Sequence, residues 1–327
     1  MKRIAINGFG RIGRILFRLL HASEQYKVVA INDISHPKIL SHLLKYDSIH
    51  GIFSPNVSFG PDSIVCDGEV VHLSNFSKIE LINWKKHDVD VVFECTGVYK
   101  SRLDNLAHIH AGAKKVILSS VPIDNDIQMV IMGVNDSSFD FSDPIISNGS
   151  CTTNCAAPMI KSINDSVGVS SAYVTTVHSY TSDQNLHDSI HTDLRRARSA
   201  PNSIIPTTTG AAKALSMIFP SLEIGGCGIR VPVPNGSLTD ITCIVDSLVS
   251  VQDINHIFKK NAANSLKGIL SYNIDPIVSV DIVSNPHSCV YDSELTYTMS
   301  KMIKIVGWYD NEYGYSSRLV DLLSKIY

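Results

Sequence analysis

The chain has 327 residues, with 28 Lys and Arg against 31 Asp and Glu, giving a formal net charge of −3. A charged fraction of 18% and an apolar fraction of 44% exclude disordered and fibrous classes, and the near-balance of charge gives no general attraction for nucleic acid or an acidic membrane. At roughly 150 residues per domain the length suggests two domains, and no run approaches the ~18 apolar residues of a membrane span. The opening MKRIAINGFG has too few apolar residues before Asn7 and Gly8 for a signal peptide and reads as a strand. Seven cysteines, an odd number without CxxC or zinc-ligand spacing, fit free thiols in a reducing cytosol, with no metal site.

Residues 1 to about 150 alternate strand-like runs with amphipathic stretches. Strands are expected at Arg3–Ile6, Val28–Ile31, Val89–Glu94, Lys115–Leu118 and Met129–Met132, with a helix over Arg11–Leu20. This alternation predicts an α/β, doubly wound, Rossmann-type domain with a parallel sheet. Residues 55–74 break the rhythm and suggest hairpins. From Cys151 onward the pattern changes to α+β with a mostly antiparallel sheet: a helix near Thr152–Ser166, a β-branched run Ser171–His178, and strands at Gly228–Pro232, Thr239–Val249, Ile277–Val283 and Lys304–Tyr309. Helices are expected near 207–218 and 252–267, and residues 179–205 form a long polar loop bearing arginines, of the kind that is usually functional. A last helix, from about 313 to 327, is expected to pack back onto the 1–150 domain, leaving 151–312 as the second domain.

Two ends of this chain carry chemistry. Gly8, Gly10 and Gly13 form GxGxxG between a strand and a helix: a tight turn, a close approach to a pyrophosphate, and close helix packing. Asp33 stands about 20 residues beyond Gly13, where a carboxylate binds an adenosine ribose; its charge would repel a 2′-phosphate and so favours NAD over NADP. Cys151 stands where a loop enters a helix. There it is either a buried structural thiol or a nucleophile whose pKa is lowered by the helix dipole. Cys155, one turn deeper, is expected to be inert. His178 ends an apolar run and could activate a thiol. Arg195, Arg196, Arg198 and Arg230 suit phosphate, or a solvated basic face.

INGFGRIGR, SNGSCTTNC, HSYT, DLRRAR, PTTTGAAKA, RVPVP and WYDNEYGYSSR occur in this order along essentially the whole chain. Together they resemble the phosphorylating glyceraldehyde-3-phosphate dehydrogenase family. The resemblance implies that Cys151 attacks glyceraldehyde 3-phosphate and that hydride passes to NAD. Inorganic phosphate then releases the thioester as 1,3-bisphosphoglycerate. By matching position, His178 is the base. Thr181 and Arg230 hold the substrate phosphate, and Ser150, Thr152, Thr209 and Gly210 hold the attacking phosphate, with Arg198 nearby. Arg11 and Ile12 meet the pyrophosphate through backbone N–H groups, Asp33 the ribose, Ser77 the adenine, Ser119 the nicotinamide side and Asn311 the carboxamide. The family implies a cytoplasmic homotetramer with no nucleic-acid or membrane partner.

Three departures stand out: Gly149 before the nucleophile, SSVPID after Ser119, and Ser189-Ile190 where NAD-specific members carry Leu-Pro. An erythrose-4-phosphate dehydrogenase would share the Cys and His but lack the TTTG run. An aspartate-semialdehyde enzyme would lack the phosphate pair, and a binding-only protein would not need Cys151 and His178.

Overall fold

The computed structural model describes all 327 residues, and the chain divides into two compact units. The first comprises Met1–Val130, Ser138–Gly149 and Ser316–Tyr327; the second comprises Ile131–Ser137 and Ser150–Tyr315. This division departs from a simple cut at residue 150 because Ile131 and Val134 pack into the second unit's core. A side chain at Gly133 would also collide with Leu266 and Ile269.

The first unit is built on an eight-stranded sheet. Its strands are β1 (Lys2–Asn7), β2 (Tyr26–Asn32), β3 (Val57–Gly60), β4 (Ser63–Cys66), β5 (Glu69–Ser74), β6 (Val91–Glu94), β7 (Lys115–Leu118) and β8 (Ile145–Ser147). The order is β3-β4-β5-β2-β1-β6-β7-β8, parallel from β5 to β8. Residues 55–74 are antiparallel hairpins whose last strand, β5, joins the parallel set beside β2. The chain moves outward from β1 to β2 and later returns to β6 on the other flank. The C-terminal ends of β1 and β6 therefore form a topological switch point, the place where open α/β sheets take ligands. Met129–Met132 is not a strand; a single bridge from Met129 to Ser147 replaces it, and β8 takes that edge of the sheet.

Helices α1 (Arg11–His21), α2 (Pro37–Lys45) and α3 (Arg102–His110) belong to this unit. In α1 the buried residues Gly13, Leu16, Phe17 and Leu20 recur at helical spacing and line one face. Gly13 lets α1 lie tight, since a Cβ there would come within 2.3 Å of the Gly8 carbonyl oxygen.

The second unit carries a seven-stranded sheet in the order β10-β11-β9-β12-β15-β14-β13. Its strands are β9 (Val169–Ser179), β10 (Ile205–Thr207), β11 (Glu223–Val231), β12 (Ser237–Val245), β13 (Leu270–Asn273), β14 (Cys289–Met299) and β15 (Met302–Tyr309). Pairing is antiparallel except between β9 and β11 and between β13 and β14. Residues 277–283, expected as a strand, contain a 3-10 turn at Ser279–Ile282.

One face of this sheet packs on α4 (Cys151–Val167), α5 (Ala211–Ile218) and α6 (Val251–Ala263). α7 (Tyr313–Ile326) closes the chain. Along β9 the alternation is regular: Ala172, Val174, Thr176 and His178 are buried, whereas Tyr173 is exposed. The opposite face also exposes Ile244, Tyr297, Met299 and Met302.

Gly13→Ala should lower stability by about 1–3 kcal/mol through overpacking against backbone, read as a reduced urea midpoint. An unchanged midpoint would contradict the packing described.

Candidate active site

Cys151 is the first residue of α4, and Ser150 is its N-cap, with the Ser150 hydroxyl accepting from the Thr153 N–H at 3.1 Å. The Cys151 sulfur lies 3.4 Å from His178 Nε2. His178 comes from β9 and points to the helix-covered face because of the strand's two-residue period. Its Nδ1 stands 2.7 Å from the Ser179 carbonyl oxygen. An Nδ1–H donating to that carbonyl leaves the Nε2 lone pair to face the sulfur.

Arg230 is paired in register with His178 across β9 and β11. Its Nη1 donates to the same Ser179 carbonyl at 2.9 Å and stands 2.8 Å from His178 Nδ1.

The sequence leads one to expect a lowered thiol pKa, and the environment overturns this. Burial pushes the Cys151 thiol up to about 11, outweighing the lowering by Arg230 and by the Thr152 and Cys151 amides at the helix start. Burial likewise brings His178 down to about 3, assisted by Arg230 and Arg196 and opposed by the Ser179 carbonyl. At neutral pH the resting pair is a thiol beside a neutral imidazole. Such a pair can pass its proton to Nε2 as the sulfur attacks.

Tyr309, read from the sequence only as a strand end, adjoins this pair. Its hydroxyl lies 2.9 Å from both Thr152 Oγ1 and Thr176 Oγ1, and its ring meets His178 edge-on at 6.0 Å between centroids. Burial raises its pKa, so the phenol stays neutral and bridges the helix start to the strand. Tyr309 lies within the WYDNE segment, but only its fold placement, on the inward face of β15, marks it out.

The expected phosphate residues divide. Thr209 Oγ1 accepts from the Ala211 N–H at 3.2 Å, and Gly210, the exposed N-cap of α5, has open space where a Cβ would stand. Thr181 is half-buried and follows β9 closely. Thr152, by contrast, has its hydroxyl turned to Tyr309. Arg198 is not gathered with this group: it is largely exposed and donates to Asp188 at 2.8 Å. Arg196, on the same loop, lies against the 207–208 segment, donating to Thr207 Oγ1 at 3.0 Å and to the Thr208 carbonyl at 3.3 Å. DLRRAR offers three arginines, and only the loop's path separates them.

In the first unit, Gly8 has φ +89° and no room for a side chain, because a Cβ would lie 2.7 Å from the Thr96 nitrogen. Gly10, by contrast, opens onto free space, and no side chain caps the N-terminus of α1 or places an acid in its first turn. Those features fit a pyrophosphate. The Arg11 guanidinium is committed to Asp47 at 2.6 and 3.1 Å, which leaves the Arg11 and Ile12 contribution to their backbone. Burial favours the neutral Asp47 carboxyl, but Arg11 and the His50 and Ile49 amides win and hold it at about 2.

Asp33 accepts from the Phe9 N–H at 2.7 Å and the Ser35 N–H at 2.8 Å, so it also holds the glycine loop while keeping acceptor capacity for hydroxyls. The Ser77 carbonyl accepts from the Tyr99 hydroxyl. Ser119 is fixed by its Oγ and N–H donating to the Glu94 carbonyl at 2.9 and 3.0 Å.

In the second unit, Asn311 Oδ1 accepts from Ser179 Oγ and Ser237 Oγ, both at 2.9 Å. This sets the amide orientation and leaves Nδ2 to donate to a carboxamide oxygen. The glycine cradle and Asp33 of the first unit fit NAD.

Two measurements check the electrostatics. The rate of Cys151 alkylation in the free protein should keep rising toward about pH 11, and Arg230→Gln should move that profile higher; a plateau near pH 8 would contradict it. With His178 brought down by burial from its ordinary 6.5 to about 3, stability should fall as pH drops below 6.5, by roughly a kcal/mol per unit. His178→Asn should flatten this decline in urea titrations, and an unchanged slope would count against the buried neutral ring.

Comparison with known proteins follows the same division. The family profile described as glyceraldehyde 3-phosphate dehydrogenase, NAD binding domain, matches residues 2–102, and that of the C-terminal domain matches residues 150–311. The chain is similar to glyceraldehyde-3-phosphate dehydrogenase 2 of Bacillus subtilis, with 46% identity covering 99% of this chain and 96% of that protein. It is 48% identical to glyceraldehyde-3-phosphate dehydrogenase of Mycobacterium avium, covering 99% and 98%, and 46% identical to glyceraldehyde-3-phosphate dehydrogenase 2 of Streptomyces avermitilis, covering 98% and 97%. The chain belongs to the glyceraldehyde-3-phosphate dehydrogenase family.

Proposed function

We propose that this protein oxidises D-glyceraldehyde 3-phosphate with NAD and inorganic phosphate, forming 1,3-bisphosphoglycerate and NADH in glycolysis and gluconeogenesis. The observation that carries the reading is the Cys151 sulfur at 3.4 Å from Nε2 of His178. As the sulfur bonds to the aldehyde carbon, its proton moves to Nε2 and a hemithioacetal forms on Cys151. His178 can donate to the developing oxyanion, alongside backbone N–H groups at the start of α4. NAD, when bound, accepts hydride from that carbon. His178 takes the hydroxyl proton as the carbonyl of the thioester forms. Attack by phosphate then expels the thiolate.

Arg230 serves this scheme twice. It is the cation suited to the substrate phosphate, with Thr181 close in sequence to the same strand end. It also disfavours imidazolium in the free protein, and a phosphate dianion on its guanidinium offsets that penalty. Ser150, Thr152, Thr209 and Gly210 remain the proposed donors for the attacking phosphate, with Arg196 replacing Arg198 as their cation. Asp33 supports NAD over NADP by charge repulsion. Asp188, beside Ser189, is occupied with Arg198 and the Ser199 N–H.

We infer self-association as a homotetramer. Tyr173, Tyr297 and Met299 on one sheet face, and Leu186, Ile190 and Leu194 in the 179–205 loop, are exposed apolar residues, with Ile190 fully so at 99%. A cytoplasmic location is consistent with seven free cysteines, one of which must stay reduced to act. No helix is long and apolar enough to cross a membrane.

Steady-state assays with glyceraldehyde 3-phosphate test the reading. NADH formation should depend on inorganic phosphate, and Cys151→Ser should keep NAD binding but lose turnover by orders of magnitude, since an alkoxide is far harder to form than a thiolate. Equal turnover without phosphate would favour a hydrolytic, erythrose-4-phosphate-type reaction.

A further inference from the structure

We propose that Glu94 is a positioning residue for the dinucleotide site, holding the loops after β1, β6 and β7 in one arrangement through a buried hydrogen-bond network. The proposal rests on the reading of the glycine loop as the NAD site and goes beyond it, because Glu94 is not itself among the residues expected to contact the nucleotide.

Glu94 is the last residue of β6 and is paired with Asn7, the last of β1, across the switch point. Its side chain is buried, and both carboxylate oxygens are engaged. One accepts from the Thr96 N–H at 2.7 Å and from the Thr96 hydroxyl. The other accepts from Asn7 Nδ2 at 2.5 Å and lies 3.1 Å from His108 Nε2. Its backbone carbonyl takes both donors of Ser119.

Each contact fixes something the nucleotide needs. Gly8 turns directly against the Thr96 nitrogen, so pinning Thr96 fixes the floor of the glycine loop. Asn7 Oδ1 accepts from Asn32 Nδ2 at 2.8 Å, and Asn32 immediately precedes Asp33. Asn32 Oδ1 in turn accepts from Ser74 Oγ and the Phe76 N–H, which carries the network to the end of β5. On the other side, His108 Nδ1 accepts from Trp84 Nε1 at 2.9 Å, which leaves the His108 ring proton on Nε2 to donate to Glu94.

A buried carboxylate is an expensive way to fill a core, and an apolar group of the same size is often more stabilising. It is also of the wrong sign to attract a pyrophosphate. Its benefit to binding is therefore geometric: four donors from three segments converge on it, and no neutral side chain offers two such acceptor oxygens.

The sign of one substitution separates geometry from charge. Glu94→Gln removes a negative charge near an anionic ligand, yet sets an amide against two donors. Titration of NAD into the full-length protein should show about tenfold weaker binding for Glu94→Gln and a smaller loss for Thr96→Val. At saturating NAD, kcat should stay within about twofold of wild type and Cys151 alkylation should be unchanged. His108→Gln, which keeps a donor, should bind NAD better than His108→Leu. These variants decide the matter if Glu94→Gln fails to fold. Affinity that is unchanged or tighter in Glu94→Gln, or unchanged across Thr96→Val and His108→Leu, overturns the proposal. A wild-type chain that takes up no NAD overturns the nucleotide reading, and this inference with it.

Discussion

The proposed chemistry depends on one contact, a thiol sulfur held against an imidazole nitrogen. Two distant parts of the chain create it. The start of α4 presents Cys151, and the inward period of β9 presents His178, whose Nδ1 lies 2.7 Å from the carbonyl oxygen of the next residue, Ser179. Arg230 shares that carbonyl from the neighbouring parallel strand, so the β9–β11 register sets both the orientation of the base and the place of the cation. A slip of one residue in either strand would turn one of them to the opposite face.

Burial then decides the protonation state. A helix N-terminus and a nearby guanidinium both favour a thiolate, yet desolvation of the sulfur exceeds them, and the same desolvation keeps the imidazole neutral. The pair stays uncharged and uses its proton transfer during attack rather than before it. Tyr309 adds mechanical support by tying Thr152 on the helix to Thr176 on the strand.

Local spacing made much of this legible in the sequence. Gly8, Gly10 and Gly13 lie between a strand and a helix, and Asp33 follows at the end of the next strand, because a βαβ unit imposes those intervals. Cys151 and His178 could be located from a helix start and a strand end, although their partnership came from the family likeness. Features that depend on distant pairing were not legible. The sign of the Cys151 shift needs the packing around the sulfur. Arg196 and Arg198 differ only in how the 179–205 loop folds, and Glu94 looked like an ordinary strand residue until His108 and Asn7 came beside it. Met129–Met132 has strand-like residues yet makes a single bridge, and Cys289–Met299, with its interspersed polar residues, is a full strand because β15 pairs with it.

The most direct measurement is mass analysis of the protein after rapid mixing with NAD and glyceraldehyde 3-phosphate in phosphate-free buffer. The account predicts one acyl group per chain, mapped by peptide digestion to Cys151 and discharged on addition of phosphate. An unmodified Cys151 during NADH formation, or an acyl group carried instead on Cys155 or another cysteine, would contradict it.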